Sequence, residues 1–144
     1  MSTPLRTDAR AARLEVLRRE YMGRIAAAIA RQGRPLRVAP YVLAEPGAER
    51  QADLEKIAEY ATATGWKVTS STFADLGQPL PLPQRPGFEA ACRYAAQGFA
   101  HGILAIARPA ITTDNETYSL LLEYLHARSV FLAYLPTVDT LTTS

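Results

Sequence analysis

The sequence predicts an α/β domain in three layers (α/β/α), built on a mainly parallel four-stranded sheet and preceded by an extra N-terminal helix. Two observations predict this class. Segments with the pattern of strands alternate along the chain with segments of helical apolar periodicity, which is typical of βαβ units. Residues 102–107 form a short apolar run, as expected for a strand that is buried on both faces. Parallel strands need crossover connections, so we expect three helices to cover the sheet.

The first predicted element is a long helix at about 7–32, with Thr7 near its start and Gly33 after its end. Arg18 falls inside its apolar stripe, whose members recur at spacings of three and four: Leu14, Leu17, Tyr21 and Ile25. The chain is predicted to divide into a basic amphipathic helix at 1–35, an α/β domain at 36–136 and a C-terminal tail at 137–144.

The remaining elements alternate as the fold class requires. Strands are predicted at 36–43, 66–73, 102–107 and 130–135. Helices are predicted at 50–64, from Pro86 onward, and after a capping-box sequence that begins at Thr113. The loop at 74–84 holds several prolines, which excludes a central strand there.

Composition is that of a soluble globular protein. The 144 residues suffice for one domain with its own core, and 48% are apolar and 21% charged. Cys92 is the single cysteine, which excludes an internal disulfide, and no group of cysteines and histidines has the spacing of a zinc site. No metal or cofactor is therefore predicted. No apolar run could span a bilayer and no signal peptide is visible, so we expect a cytoplasmic protein without a membrane partner.

Charge is distributed unevenly along the chain. Residues 1–37 contain nine arginines and three acidic residues, whereas residues 38–144 contain seven basic and eleven acidic residues. The basic helix could contact nucleic-acid phosphates, or it could be a solvated helix docked on an acidic surface. The second interpretation is favoured because the arginines interleave with the apolar stripe. Under the first, the candidate contacts are Arg10, Arg13, Arg24 and Arg31.

Four short motifs resemble the catalytic domain of serine recombinases, the resolvase/invertase family. They are Gly65-Trp66, Asp75-Leu76-Gly77, Arg85-Pro86-Gly87-Phe88 and the last predicted strand at 130–135. The resemblance extends over about 37–140 and is most specific between 65 and 135. It implies the parallel α/β fold predicted above and an origin among DNA-recombining proteins, and it identifies the N-terminal helix as an addition.

The family's nucleophile is missing from the matching position. In serine recombinases a serine just after the first strand attacks a DNA phosphodiester, and an arginine two residues earlier helps to hold the phosphate. The matching segment here puts Leu43 at the arginine and Glu45 at the serine. Leucine offers no hydrogen-bond donor, and an anionic glutamate repels the phosphate that it would have to attack.

The second catalytic cluster of the family, Asp-Arg-x-x-Arg, is also replaced. Its three functional positions match Pro109, Ala110 and Thr113. Phosphoryl transfer depends on cations that neutralise the developing charge, so this loss removes several kcal/mol of transition-state stabilisation. The resemblance therefore implies a degenerate member that lacks the catalytic residues.

Three charged residues remain as candidates for a ligand or phosphate site. Arg85 is either a remnant phosphate contact or, as favoured here, a helix-start residue that bonds the preceding loop or Asp75. Glu45, Arg85 and Arg108 could all lie near the C-terminal edge of the sheet, where open α/β sheets place ligands.

Three functions stay open from the sequence. The favoured hypothesis is a catalytically inactive module for protein interaction or regulation, self-associating through its added helix as a homodimer or binding another protein. A DNA-binding accessory protein that uses the arginine-rich helix is the second. An enzyme of another class, with its site at the C-terminal edge of the sheet, is the third.

Overall fold

The computed structural model describes residues 2–78 and 80–136, with side chains from residue 9 onward. Four helices alternate with five strands in this part of the chain: α1 (Ser2–Arg31), β1 (Arg37–Leu43), α2 (Ala48–Thr64), β2 (Lys67–Val68), β3 (Phe73–Asp75), α3 (Pro86–Ala96), β4 (Gly102–Ala105), α4 (Asn115–Ala127) and β5 (Phe131–Tyr134). Two short 3-10 helices, Leu82–Gln84 and Arg108–Ala110, lie in the loops before α3 and after β4. The predicted tail at 137–144 lies outside the described residues.

All strands of the sheet are parallel, in the order β2-β1-β4-β5, and β3 pairs with the C-terminal half of β1. The predicted fold class is confirmed. The single strand predicted at 66–73 is wrong, because two short strands occupy that position beside β1. Between them the backbone turns away from β1, and the Thr69 hydroxyl donates a 2.8 Å hydrogen bond to the Ser71 carbonyl. A run of serine and threonine there competes with the sheet for backbone hydrogen bonds.

Alternation along the strands divides the core into two layers. Tyr41, Ile103 and Leu132 point to one face, where α3 and α4 cover them. Leu104 and Phe131 point to the other face, which α2 covers with the buried side chains of Ile57 and Ala61. Full burial of one such large side chain contributes about 1.5–3 kcal/mol, so both layers stabilise the domain.

The helix α1 packs against β5 and α4 and forms part of the core. Leu14 and Ile25 are buried, and Arg18 is only 6% exposed. The N–H groups of Phe131 and Leu135 bond to carbonyls of the β4 segment, so the backbone of Leu132 faces the free edge of the sheet. Arg18 Nη1 donates a 2.7 Å hydrogen bond to the Leu132 carbonyl there. The added helix thus covers an edge that would otherwise be open to pairing.

Some predicted element boundaries are wrong. α1 begins at Ser2, five residues before the predicted start, and β4 ends at Ala105, two residues early. The N-cap of α4 is Asp114, not Thr113: its Oδ2 accepts bonds from the amide (2.8 Å) and the hydroxyl (2.6 Å) of Thr117. These bonds hold the pKa of Asp114 below its usual value. A carboxylate at this position satisfies an otherwise unpaired amide.

Candidate functional site

A cavity of about 640 Å³ lies at the C-terminal edge of the sheet, between the loop that precedes α3 and the loop that precedes α4. Four residues singled out from the sequence line it: Leu43, Arg85, Pro109 and Thr113. Most of the remaining lining comes from the proline-rich loop and the start of α4: Gly77, Leu80, Pro81, Leu82, Pro83, Thr112, Asp114 and Thr117. This is the edge where parallel α/β sheets bind ligands.

The end of β1 supplies one wall of this cavity. Leu43 is half-buried in the wall, and the exposed Glu45 lies at the rim. Glu45 Oε1 is 3.6 Å from the point that a Cβ on Gly77 would occupy, so the carboxylate sits behind the turn at Gly77. Glu45 is not part of the cavity lining.

Arg85 is buried, with 4% of its surface exposed. Its Nε donates a 2.7 Å bond to the Leu80 carbonyl, and its Nη1 donates a 2.7 Å bond to the Ala110 carbonyl. The guanidinium therefore joins the two loops that form opposite walls of the cavity. Its positive charge is directed at main-chain oxygens of both walls.

The Arg-Pro-Gly-Phe motif begins α3, and Asp75 caps it from the end of β3. The Asp75 carboxylate accepts 2.8 Å bonds from the amides of Gly87 and Phe88 and from the Tyr41 hydroxyl. A Cβ on Gly87 would lie 2.1 Å from the Ala74 carbonyl oxygen, so only glycine fits there. Burial, with the bond to Asp75, raises the pKa of Tyr41 well above its ordinary value. The residues of the motif are thus explained by the contacts they make where β1, β3 and α3 meet.

Arg50 is a site residue that sequence reasoning missed. From the first turn of α2 it reaches the end of β1, where Nε and Nη2 lie 3.0 and 2.8 Å from the Ala44 carbonyl. Nη2 also lies 3.4 Å from the Asp75 carbonyl. The side chain therefore ties the ends of β1 and β3 together beneath the cavity. No sequence motif marks this contact.

The positions that match the family's second cluster offer no charge to the cavity. Pro109 and Ala110 lie in the 3-10 helix after β4, and Thr113 is exposed. Hydroxyl groups reach the lining only from threonines 112, 113 and 117. No histidine in the described part of the chain lines the cavity, and the one carboxylate found there, on Asp114, is bonded to Thr117. A hydroxyl nucleophile needs a neighbouring base, and the lining provides none that is free.

Arg108 does not reach the same cavity. Its Nε lies 3.1 Å from the Thr112 carbonyl, and Nη2 lies 2.8 Å from Asn115 Oδ1. The guanidinium carbon lies 4.1 Å from the centre of the Tyr118 ring, which is a cation–π contact. Arg108 lines a different cavity, beside α1. The structure thus brings Arg85 together with Leu43, Pro109 and Thr113, and it leaves Glu45 and Arg108 outside that group.

The candidate nucleic-acid contacts of α1 are all exposed. None of Arg10, Arg13, Arg24 and Arg31 forms a salt bridge with a described residue. Within the same described part of the chain, no three histidine, cysteine or acidic side chains are grouped as metal ligands. No described helix is long and apolar enough to cross a membrane.

The order of the strands, the motif at the start of α3 and the cavity at the strand ends define a resolvase-like α/β domain. Comparison with solved structures agrees, since the chain is similar to catalytic domains of serine recombinases. The likeness is one of fold, because sequence identity is low throughout.

Three solved structures illustrate this similarity. The C-terminal catalytic domain of ISC1926 TnpA, an IS607-like serine recombinase, has a TM-score of 0.60 at 17% identity, over 75% of this chain and 76% of that one. The N-terminal catalytic domain of TP901-1 integrase has a TM-score of 0.59 at 19% identity, over 69% and 76%. The first ORF in transposon ISC1904 from Sulfolobus solfataricus P2 has a TM-score of 0.51 at 13% identity, over 74% and 70%. No protein-family profile and no curated protein sequence matches the chain.

Proposed function

We propose that this chain is a catalytically inactive serine-recombinase-like domain that acts as a self-associating module for protein interaction or regulation. The observation that carries the proposal concerns Arg85. Among the described residues it is the only cationic side chain in the lining of the C-terminal-edge cavity, and two of its nitrogens already donate to the Leu80 and Ala110 carbonyls. Because Arg85 is only 4% exposed and its bonds hold both walls, the described lining offers no exposed cation to hold a scissile phosphate.

The chemistry of strand cleavage supports the same proposal. Transfer of a phosphoryl group to a protein hydroxyl needs an activated nucleophile and several positive groups around the phosphate. Leu43, Pro109 and Ala110 offer neither. Thr113 has a hydroxyl but no free base beside it in the lining. Rebuilding a phosphate clamp would require Arg85 to release both loops that it joins.

A groove between α3 and α4 supports the choice of an interaction module. It has a volume of about 810 Å³, and its lining includes Leu82, Cys92 and Leu121. Leu120 and Tyr124, one turn apart on α4, are 64% and 47% exposed beside it. Neighbouring exposed apolar side chains of this size mark protein-binding surfaces. The apolar stripe of α1, in contrast, is already packed against the core of the monomer.

Symmetric self-association is the simplest use of such a groove. Homodimers with twofold symmetry bury the same patch on both copies, so one apolar groove suffices for both sides of the contact. Cys92 lies in the groove wall, but burial raises the pKa of its thiol to about 12, which keeps it protonated and unreactive. We therefore propose a noncovalent dimer.

Incubation with nicked DNA substrates that trap covalent recombinase intermediates tests the inactive assignment. We expect no protein–DNA adduct on denaturing gels, under conditions in which an active serine recombinase forms one on its own site. An adduct that disappears in Thr113→Ala, with the fold intact by circular dichroism, would contradict the proposal and identify a replacement nucleophile.

A DNA-binding accessory role is the second candidate, and one observation favours it. At 100° per residue, Arg10, Arg13, Arg24 and Arg31 fall within an arc of about 60° on α1, along about 30 Å of helix. All four are exposed. A row of exposed cations of this length could contact several phosphates along a nucleic-acid backbone.

A further inference from the structure

The added helix encloses a second cavity, of about 560 Å³, on the face of the sheet that α2 covers. α2 packs over β1 and β2, whereas α1 lies along the edge at β5. The cavity is the gap between these two helices, and the residues that end β5 close one side of it: Ala133, Tyr134, Leu135 and Pro136. Nothing in the proposed function uses this cavity.

Apolar side chains line one part of the cavity. Met22 comes from α1, Tyr60 comes from α2, and Trp66 follows α2; all three are partly exposed. The rings of Tyr60 and Trp66 meet edge to face, with their centres 5.9 Å apart. Such walls favour a flat apolar group, because aromatic surfaces offer contact area at little conformational cost.

Positive charge dominates the rest of the lining. Among the described lining residues Glu15 is the only carboxylate, and it bonds both Arg18, at 2.6 Å, and Arg19, at 3.0 Å. Although burial opposes it, this pairing lowers the pKa of Glu15. Arg108 adds a third guanidinium, and its Nη1 donates to no described residue. The described lining thus carries one carboxylate and three guanidinium groups, and Arg108 is also attracted by Asp114 outside the lining.

The excess positive charge lies in a partly buried environment. Arg18 is 6% exposed, and its guanidinium carbon lies 5.0 Å from the ring centre of Tyr134, whose hydroxyl is bonded to the Tyr118 hydroxyl at 2.7 Å. Arg108 stacks on that same Tyr118. Two cations thus flank a pair of linked tyrosines, of which Tyr134 lines the cavity. Attraction between charges is stronger here than at an open surface.

We propose that this cavity binds a small aromatic carboxylate. Its ring would lie against Tyr60 and Trp66, and its carboxylate would complete the charge balance beside Arg108. A guanidinium binds a carboxylate through charge-assisted hydrogen bonds, and Arg108 retains free donors for them. Because the cavity walls come from α1 and from the α/β domain, the ligand would also strengthen the docking of α1.

Trp66 is the only tryptophan of the chain, so its fluorescence reports on this cavity alone. Titration of the full-length protein with cinnamate is expected to change that fluorescence saturably. Cinnamamide has the same flat body without the charge, and we expect it to bind at least about tenfold more weakly, as loss of a charge-assisted bond implies. Equal binding of the two compounds, or no binding of cinnamate up to its solubility limit, would overturn the proposal.

Two charge-neutralising variants locate the carboxylate. Arg108→Gln is expected to raise the dissociation constant for cinnamate about tenfold and to leave that for cinnamamide unchanged. Arg24→Gln removes the same charge from an exposed position of α1 outside the cavity and should change neither. Unchanged cinnamate binding in Arg108→Gln, or an equal loss in both variants, would contradict the assignment.

A third variant covers the case in which Arg108→Gln disturbs the start of α4. Met22→Phe narrows the apolar end of the cavity without altering any charge, so both compounds should lose affinity and the thermal midpoint should hold. Cinnamate binding that survives this substitution would place the ligand elsewhere.

Discussion

Arg18 Nη1 lies 2.7 Å from the main-chain oxygen of Leu132, joining α1 to the edge strand β5 across 114 positions of the sequence. The same guanidinium bonds both carboxylate oxygens of Glu15, at 2.8 and 2.6 Å. A charge that interrupts the apolar stripe of α1 is thus satisfied on every side while buried. Arg18 thus anchors the added helix to the domain. Its hydrogen bond also occupies a carbonyl at the otherwise exposed edge of the sheet.

Replacing Arg18 by leucine should lower the free energy of unfolding by about 3 kcal/mol, since the Leu132 carbonyl loses a charged donor in a buried site. The bonds to Glu15 add less because that carboxylate is partly exposed. Urea denaturation followed by circular dichroism measures the change. Arg13→Leu removes an exposed arginine of the same helix and should cost less than about 0.5 kcal/mol. Equal effects of the two substitutions would refute a structural role for the Arg18 contact.

Substituting alanine at each of two glycines should change the stability of the protein in opposite directions. At Gly87 a methyl group would meet the Ala74 carbonyl oxygen at 2.1 Å, and backbone on both sides prevents relief. Gly87→Ala is therefore expected to destabilise the protein by about 3 kcal/mol. Gly23, in the middle of α1, has open space around the same point. Gly23→Ala should stabilise it by about 0.5–1 kcal/mol, because alanine loses less backbone entropy in a helix.

Thermal melting of both variants measures these effects. A Gly87→Ala protein as stable as the original would show that α3 does not begin against β3 as described. A loss of stability in Gly23→Ala would show instead that another molecule packs on that face of α1.

Much of the fold follows from periodicity, and the exceptions have physical causes. Alternation of strand and helix patterns predicts the sheet, and the apolar run at 102–107 predicts its buried strand β4. The break between β2 and β3 escapes prediction because threonine favours strands, yet its hydroxyl can also bond local backbone. The burial of Arg18 also escapes prediction, because nothing in an apolar stripe reveals the distant carbonyl that its guanidinium bonds.

The candidate site is predicted in part. Alignment to the recombinase motifs selects Leu43, Pro109 and Thr113, and the structure brings these residues to one cavity. It does not select Arg50, whose contact with the Ala44 carbonyl depends on where α2 crosses the end of β1. Contacts between a side chain and a distant carbonyl leave no pattern in sequence, because any long polar side chain at that position could make them.

Self-association through the α3–α4 groove gives a further prediction. Leu120→Asp puts a charge at the centre of the proposed interface, and burial of an unpaired carboxylate is strongly unfavourable. We expect the mass measured by light scattering to fall from that of a dimer to that of a monomer. The side chain is 64% exposed, so the monomer should remain folded.

Leu76→Asp is the matched control for this interface, because Leu76 is 56% exposed but lies outside the groove. It should leave the dimer intact. A monomeric original protein, or a dimer that tolerates Leu120→Asp, would exclude this surface as the site of self-association.

The arginine row of α1 makes the last prediction, which separates the two proposed functions. If the row binds DNA, affinity for a random duplex should fall steeply with salt, because each phosphate contact releases a counterion. Changing all four arginines of the row to glutamine should reduce the slope of log K against log salt by about 3–4. Electrophoretic shift or fluorescence anisotropy at several salt concentrations measures both quantities.

Net charge alone also attracts DNA, so the control must remove four charges elsewhere. Four exposed cations that lie outside α1 and away from its C-terminal end should be changed to glutamine together: Lys56, Lys67, Arg93 and Arg128. If the arginine row is the binding site, this control should keep most of the slope of log K against log salt, because the row's own phosphate contacts are intact. If the two quadruple variants lose the same amount of slope, the attraction to DNA is diffuse. If the original protein does not bind DNA even at low salt, the interaction module remains as the proposed function.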